Sequence, residues 1–472
     1  MASDLHPNTK IDNTHPLRDR LWAVGAAIVL FVLIGWTIIL SGNESGRGAS
    51  DDLKFHWVAI QQFADELPSP DLSDYASATT PGYHLLLAPI AKLGVGHTGI
   101  QLIASIWTLG LLGVLAWVLA HRFGKAAAIL ILPMLVSMYV LFPGVWLLPD
   151  NAGWLGVLLI VLLSLRQHPT WKTHTIAGVL LIVLIWMRQI HIWAGGIIWL
   201  SAWLGSVDQT PSIRRLFSSP IDRTGRTLIA IGCTIPAFTM LVWFMMLWGG
   251  LVPPTFQGMH QGPNLATPGF ILTQLAILSL FFTPMLWPRL KETWAYHGKW
   301  IIAAALVGLI LGVVPENSYS YEAGRYGGWW QLVAKLPTIA DRSPIIMLGS
   351  MAGAVVFVVW LHLADLRDRW MWVGIMVAFT LAQSANHASW QRYHEPMLLI
   401  MILLIIARSS LIAQYTRQVL AGCVVLSLVL GLLTAASILN AKPIDVDQSL
   451  DELQTFDQIE PEMATMTGSG RS

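Results

Sequence analysis

The sequence predicts an all-α fold, a polytopic transmembrane helical bundle of about 13 spans whose long first outer loop carries juxtamembrane helices. Three observations predict it. Apolar runs long enough to cross a ~30 Å hydrocarbon core follow one another with short breaks. Charged residues make up 12% of the chain and hydrophobic residues 55%. A soluble domain carries about 25% charge, so half of the expected polar surface is missing. Mean hydropathy is +0.60.

Residues 1–20 are polar and read as a cytoplasmic tail. The run that follows, Leu21 to Leu40, has the length of a true span and argues against a cleavable signal. The bundle occupies 21–439, with spans at 21–41, 99–120, 126–142, 152–166, 174–188, 190–205, 227–249, 268–288, 299–314, 344–363, 371–383, 395–412 and 418–439. With the N-terminus inside, cytoplasmic loops hold 18 of the 28 Lys and Arg, which favours that orientation. The apolar stretch Pro81 to Leu93 is too short to span and opens with Pro81-Gly82. Reading it as a helix at the outer interface keeps Arg122 and Lys125 inside. The first outer loop then runs from about 42 to 98. Residues 440–472 form an acidic tail on the outer side, poor in apolar residues.

Composition also excludes several classes. A net charge of +1 argues against a nucleic-acid partner. Cys233 and Cys423 lie inside apolar runs, so neither a disulfide framework nor a zinc cluster is expected. No GxxxxGK[ST] phosphate loop and no convincing repeat occur.

Intramembrane charge is costly, so polar clusters between spans mark chemistry. In the first outer loop, residues 52–66 read as an amphipathic helix with Ser50 or Asp51 as its cap. Asp52 and His56 are four apart and fall on one face of that helix, where the acid can serve as a general base. An ordinary acidic helix start is the plainer alternative. Thr79, Thr80, Pro81, Gly82, Tyr83 and His84 follow. Arg188-Gln189 interrupts an apolar run, as a snorkelling anchor or a phosphate clamp. A turn through Gly249-Gly250 leads to His260. The stretch 383–396 is dense in polar groups, with Asn386, His387, Trp390, Arg392, Tyr393, His394 and Glu395. A weaker cluster, 316–325, ends in Arg325. All five fall on the outer side. Arginines hold phosphate and aromatics stack on sugar faces, so together they suit a lipid-phosphate-linked sugar.

These residues resemble the integral-membrane glycosyltransferases of the C-type (GT-C) fold that use polyprenyl-phosphate sugars. The order of motifs is most similar to the dolichyl-phosphate-glucose α-1,2-glucosyltransferase family. Asp52-Leu53-Lys54-Phe55-His56, Gln61 and Thr79-Thr80-Pro81-Gly82-Tyr83 match the first lumenal loop of that family in order. Arg188-Gln189, Gly249-Gly250 through His260, Asn386-His387 and Arg392-Tyr393-His394 match its later motifs. Leu53 stands where that family has a second acid, and Asp51 can substitute from the other side.

The resemblance implies an inverting hexosyl transfer from a polyprenyl-phosphate sugar to a hydroxyl of a lipid-linked glycan, glycolipid or protein. Asp52, or Asp51, is the expected base with His56 beside it. Arg188, Gln189, Arg392, His394 and Arg325 are the expected donor-phosphate ligands. Thr80, Tyr83, His84, His260, Asn386, His387, Trp390 and Tyr393 are expected around the sugar and the acceptor. Metal ligands are not apparent, and a divalent cation, Mg or Mn, stays open. The expected setting is a bacterial inner membrane with the site facing the periplasm. A flippase of lipid-linked glycans and an outer-face glycan polymerase or ligase are the competing readings.

Overall fold

The computed structural model describes residues 15–42, 44–206, 220–258 and 262–442. His260 and the acidic stretch 445–462 lie outside the described residues.

The described residues are helical throughout, with two isolated antiparallel bridges, Ser320 to Arg325 and Ile339 to Arg342. Six helices are long and apolar enough to cross a membrane: Leu17–Leu40, His97–Val136, Pro220–Trp248, Thr283–Val313, Pro344–Leu363 and Ser410–Leu439. Met138–Val145 and Asp150–Ser164, bent by 118° at their junction, make a seventh if taken together. The run His97–Val136 is interrupted at Gly124, whose φ of 53° ends the helix Ile106–Phe123 in a conformation that suits a residue without Cβ.

Helix boundaries differ from the sequence expectation: the run expected at 126–142 is broken into Ala127–Leu130, Leu132–Val136 and Met138–Val145. The run expected at 268–288 ends as a helix at Leu280, and a new helix starts at Thr283 and continues to Val313 with a kink at His297. In the first outer loop, helix begins at Gly46, so Ser50 and Asp51 lie inside it and do not cap it. Residues 52–56 within that helix form a π turn before α-helix resumes over Trp57–Glu66. The helix Gly82–Lys92 occupies the stretch read as interfacial.

In the bilayer, apolar burial does not separate helix from lipid, so close backbone approach and satisfied polar ends must do that work. Glycines permit the approach. A methyl on Gly353 would overlap the carbonyl oxygen of Leu272, and one on Gly308 that of Ser350. These contacts seat Pro344–Leu363 against both Thr267–Leu280 and Thr283–Val313. Ser350 reinforces the second contact by donating to the Gly308 carbonyl at 2.7 Å.

Arginines satisfy the helix ends at the pole opposite the polar clusters. The last carbonyls of a helix lack intrahelical donors and carry negative partial charge. Arg223 donates to Trp203 and Leu204, Arg367 to Gly205 and Ser164, Arg408 to Leu165, and Arg369 to Ala364. Arg408 also pairs with Asp368 at 2.6 Å. Four of the basic residues counted for orientation, Arg223, Arg367, Arg369 and Arg408, are thus structural donors at one end of the bundle.

The helix Glu395–Arg408 is buried from Glu395 through Ile406 on all sides. An all-round apolar helix belongs at the centre of a bundle. Its N-terminus delivers the 391–394 turn to the polar end. Cys423 is buried and Cys233 half-buried, and both are free thiols.

Candidate active site

The polar end is organised around the short 3-10 turn Gln391–Tyr393. Glu395 anchors it. One carboxylate oxygen accepts from Ser137 Oγ at 2.5 Å and the other from Gln391 Nε2 at 2.6 Å. Gln391 Oε1 in turn accepts from the Trp329 backbone at 2.9 Å. An acid in the first turn of a helix also suits the dipole. Fixed this way, Arg392 donates through Nη1 to Asp51 Oδ2 at 2.7 Å and through Nη2 to the Tyr393 hydroxyl at 3.1 Å. Its guanidinium lies 5.0 Å from the ring centres of both Trp390 and Tyr393.

Asp51 and Asp52 have different surroundings. Asp52 is 0% exposed, and both its oxygens are taken, Oδ1 by His97 Nε2 at 3.0 Å and Oδ2 by Gln101 Nε2 at 2.9 Å. A carboxylate only accepts, so His97 carries its proton on Nε2. Asp51 retains 17% side-chain exposure and binds only Arg392 among the described residues. The shared face expected for Asp52 and His56 does not produce a contact. Their four-residue spacing holds on an α-helix, but the π turn over 52–56 adds a residue to the turn. Asp52 is directed to His97 and Gln101, while His56 meets His84 at 2.9 Å between ring nitrogens.

Burial holds His56 well below its ordinary pKa, with His84, Arg392 and Arg188 adding to the effect. Burial alone brings His84 down to about 3. Both rings are therefore neutral at pH 7 and act as a hydrogen-bonded stacked pair, not as general acids. The folded pKa lies below the unfolded one, so stability is fully present above ~6.5 and is lost as pH falls from there toward about 3. Melting of the detergent-solubilised protein should therefore drop more between pH 7.5 and pH 5 than melting of the His56→Leu/His84→Leu double variant. Equal drops in the two proteins would remove the pair as the cause.

Arg188 and Gln189 are committed to the scaffold. Arg188 Nη1 pairs with Asp150 Oδ2 at 2.9 Å, with the two side chains 8% and 4% exposed. The guanidinium also lies over the Tyr393 ring at 5.2 Å. The Gln189 side chain joins three segments. It accepts from the Thr80 backbone at 2.9 Å and donates to the carbonyls of Ala78 at 2.9 Å and Leu251 at 3.0 Å. Thr80 Oγ1 donates to the Ile185 carbonyl at 2.6 Å. Tyr83 is buried with Ile60, Leu87 and Met187 in a small apolar cluster, which gives it a packing role.

Two cavities flank the turn. One, of about 490 Å³, is lined by Arg188, Gln189, Gly249 through Val252, Asn386 and Tyr393. The other, of about 250 Å³, lies on the Arg392 and Trp390 side. Three expected ligands do not converge with them. Arg325 donates to the Ser318 carbonyl and lines a separate small cavity with Asn264, Glu316 and His387. His387 is bonded through Nε2 to the Glu322 carbonyl. His394 is wholly buried, bonded to Gln274 at 3.1 Å and packed against Phe270 and Phe379.

The sequence reading did not find Asp150, His97, Gln101 or Arg47. Asp150 carried a signal, an acid following Pro149 at the head of an apolar run. His97 and Gln101 share a face at i, i+4 on the helix His97–Ala104. No group of three His, Cys, Asp or Glu side chains is placed to hold a metal ion among the described residues.

An all-helical chain with several apolar helices of membrane-crossing length, and a polar site gathered at one end, is a multi-pass membrane protein. No family model matches the sequence, and no curated protein matches it.

Proposed function

We propose that the protein is a membrane glycosyltransferase of GT-C type that moves a hexose from a polyprenyl-phosphate sugar to an acceptor hydroxyl. The observation that carries the reading is the Asp51–Arg392 pair, 2.7 Å long, with Arg392 and Trp390 on the wall of one cavity and the neighbouring Tyr393 on the wall of the other. An acid with an open oxygen suits deprotonation of a sugar or lipid hydroxyl, and an arginine beside it suits a departing phosphate. Trp390 lines one cavity and Tyr393 the other, where each can contact a sugar ring.

In the reaction, the acceptor hydroxyl loses its proton to Asp51 as its oxygen attacks the anomeric carbon. The bond from that carbon to the phosphate oxygen breaks, and the electron pair leaves with polyprenyl phosphate. Arg392 meets the new charge. Attack opposite to the leaving group inverts the anomeric centre. Asp52 acts one step removed, as the buried anion that ties the loop helix to His97–Ala104.

The same reading gives the chain about 13 passes. Arginine-capped helix ends lie on the cytoplasmic side and the Asp51–Arg392 end faces outward, the periplasm of a bacterial inner membrane. A site on that side has no direct access to cytosolic nucleotide sugars, which favours a lipid-carried donor. The test offers purified protein a panel of radiolabelled polyprenyl-phosphate sugars with a membrane-lipid extract as acceptor. Label should move to a new lipid or glycan product from one donor. Absence of transfer from every donor, with labelled lipid crossing liposome membranes instead, would replace the enzyme with a flippase.

A further inference from the structure

The 250 Å³ cavity gathers N–H donors from Arg47, Trp390 and Arg392. Its floor is Trp390, whose ring lies between two guanidinium groups, Arg47 at 4.7 Å and Arg392 at 5.0 Å. Arg47 also lies 5.1 Å from the Tyr326 ring and donates to the Tyr326 hydroxyl at 3.3 Å. Among the described residues no carboxylate pairs with Arg47. Trp390 Nε1 and Arg392 Nε are both buried without an acceptor. Buried donors in native proteins are nearly all satisfied, so two donors without an acceptor among the described residues, beside an arginine with no carboxylate among them, suit an anionic acceptor held in this cavity.

The rest of the lining specifies what carries that acceptor. Met138, Phe142, Pro143 and Trp146 give the lining an apolar part, and Ile438 and Ala441 bring it to the end of the helix Thr416–Leu439. That helix is one of those with the length and composition to cross the membrane. A ligand entering there passes from hydrocarbon to three N–H donor groups. The charge also discriminates. Arg47 and Arg392 bring two positive charges and Asp51 removes one, leaving a single positive charge to match a phosphodiester, whereas a pyrophosphate would remain uncompensated.

We propose that this cavity binds the phosphodiester of a lipid-linked phosphate, with Arg47 as its principal cation, Trp390 Nε1 and Arg392 Nε as fixed donors, and the chain leaving past Ile438. This rests on the glycosyl-transfer reading and deepens it: the donor's phosphate occupies this side of Arg392, and the larger Arg188 cavity is left to the acceptor. Arg47 approaches from the segment just before the acid, so a single helix carries both a phosphate ligand and the base.

Binding of a short prenyl-phosphate monosaccharide to the purified protein in detergent tests this without requiring turnover. Wild type should bind it at least about tenfold more tightly than the matching prenol, since a hydrogen bond to a charged group contributes about that factor. Arg47→Gln should weaken binding by about tenfold or more, and Trp390→Phe, which keeps a ring and removes Nε1, by about threefold to tenfold. Melting temperatures of both variants should stay near wild type, because neither side chain donates to a buried partner. Inorganic phosphate should compete only weakly, because it lacks the chain. Competition by inorganic phosphate at equal concentration would make this a free-anion site and overturn the lipid assignment. Equal affinity for prenol, or unchanged binding in a folded Arg47→Gln variant, would remove the site. Binding that follows this pattern in a protein with no sugar transfer would retain the site and retire the enzyme. Transfer that survives Arg47→Gln with unchanged donor affinity would do the reverse.

Discussion

Asp51→Asn is expected to lower sugar transfer by about 10²- to 10⁴-fold, the usual contribution of a positioned acid–base group. Asn is nearly isosteric and keeps an acceptor for Arg392, so protein level should hold and affinity for the anionic donor should not fall while the rate collapses. Asp52→Asn is expected to do something different. It replaces one of two acceptors facing His97 and Gln101 with a donor, in a place that is 0% exposed. A mispaired buried donor costs about 1–3 kcal/mol, so its effect should appear first as a lower melting temperature. Measuring transfer per folded molecule for both variants separates the roles. Full activity in Asp51→Asn together with a folded, inactive Asp52→Asn would assign the base to the buried acid.

Arg188→Met is expected to destabilise the protein by about 3–5 kcal/mol. It leaves Asp150 buried without its ion-pair partner and with only the more distant Arg392 charge near it, and removal of one member of a buried pair costs that much. The pair itself need not be net stabilising, because both ions were desolvated to form it. The informative comparison is therefore Arg188→Met/Asp150→Leu, which removes both charges and should recover much of the loss. Denaturation of the two variants in the same detergent checks this. A single variant as stable as wild type would show that the guanidinium is not Asp150's essential partner and would restore Arg188 as a candidate for ligand binding.

The helical segments were legible because a bilayer imposes a length and an apolar composition on whatever crosses it. The Asp52-containing helix and the helix after Pro81 appear near their expected places, and among the described residues six or seven of the apolar stretches form helices of membrane-crossing length. Residue roles were less legible, for specific reasons. Arg188 and Gln189 stood out as polar groups in an apolar run, which correctly marked them as costly. Sequence could not distinguish a ligand clamp from a pair with Asp150 or a loop staple, since both partners come from elsewhere in the chain. Tyr83 and His394 read as substrate contacts because they sit in polar motifs, yet both are packed in the interior. Arg47 was missed for the opposite reason. It is an exposed arginine in a Gly-rich stretch at the start of the helix Gly46–Asp51, unremarkable until Tyr326 and Trp390 arrive from some 280 and 340 residues away.

The π turn at 52–56 has a bearing on how such chains diverge. A residue inserted into a helix ordinarily rotates everything after it by about 100°, which would carry His56 and Phe63 away from His84 and Tyr75. Here the surplus residue is absorbed within a single widened turn, so the downstream half of the helix keeps its partners. Lineages with and without the extra residue can therefore share one three-dimensional site while their acids sit five or four positions before the histidine. Letter-by-letter matching would pair Asp52 with a functional equivalent of Asp51.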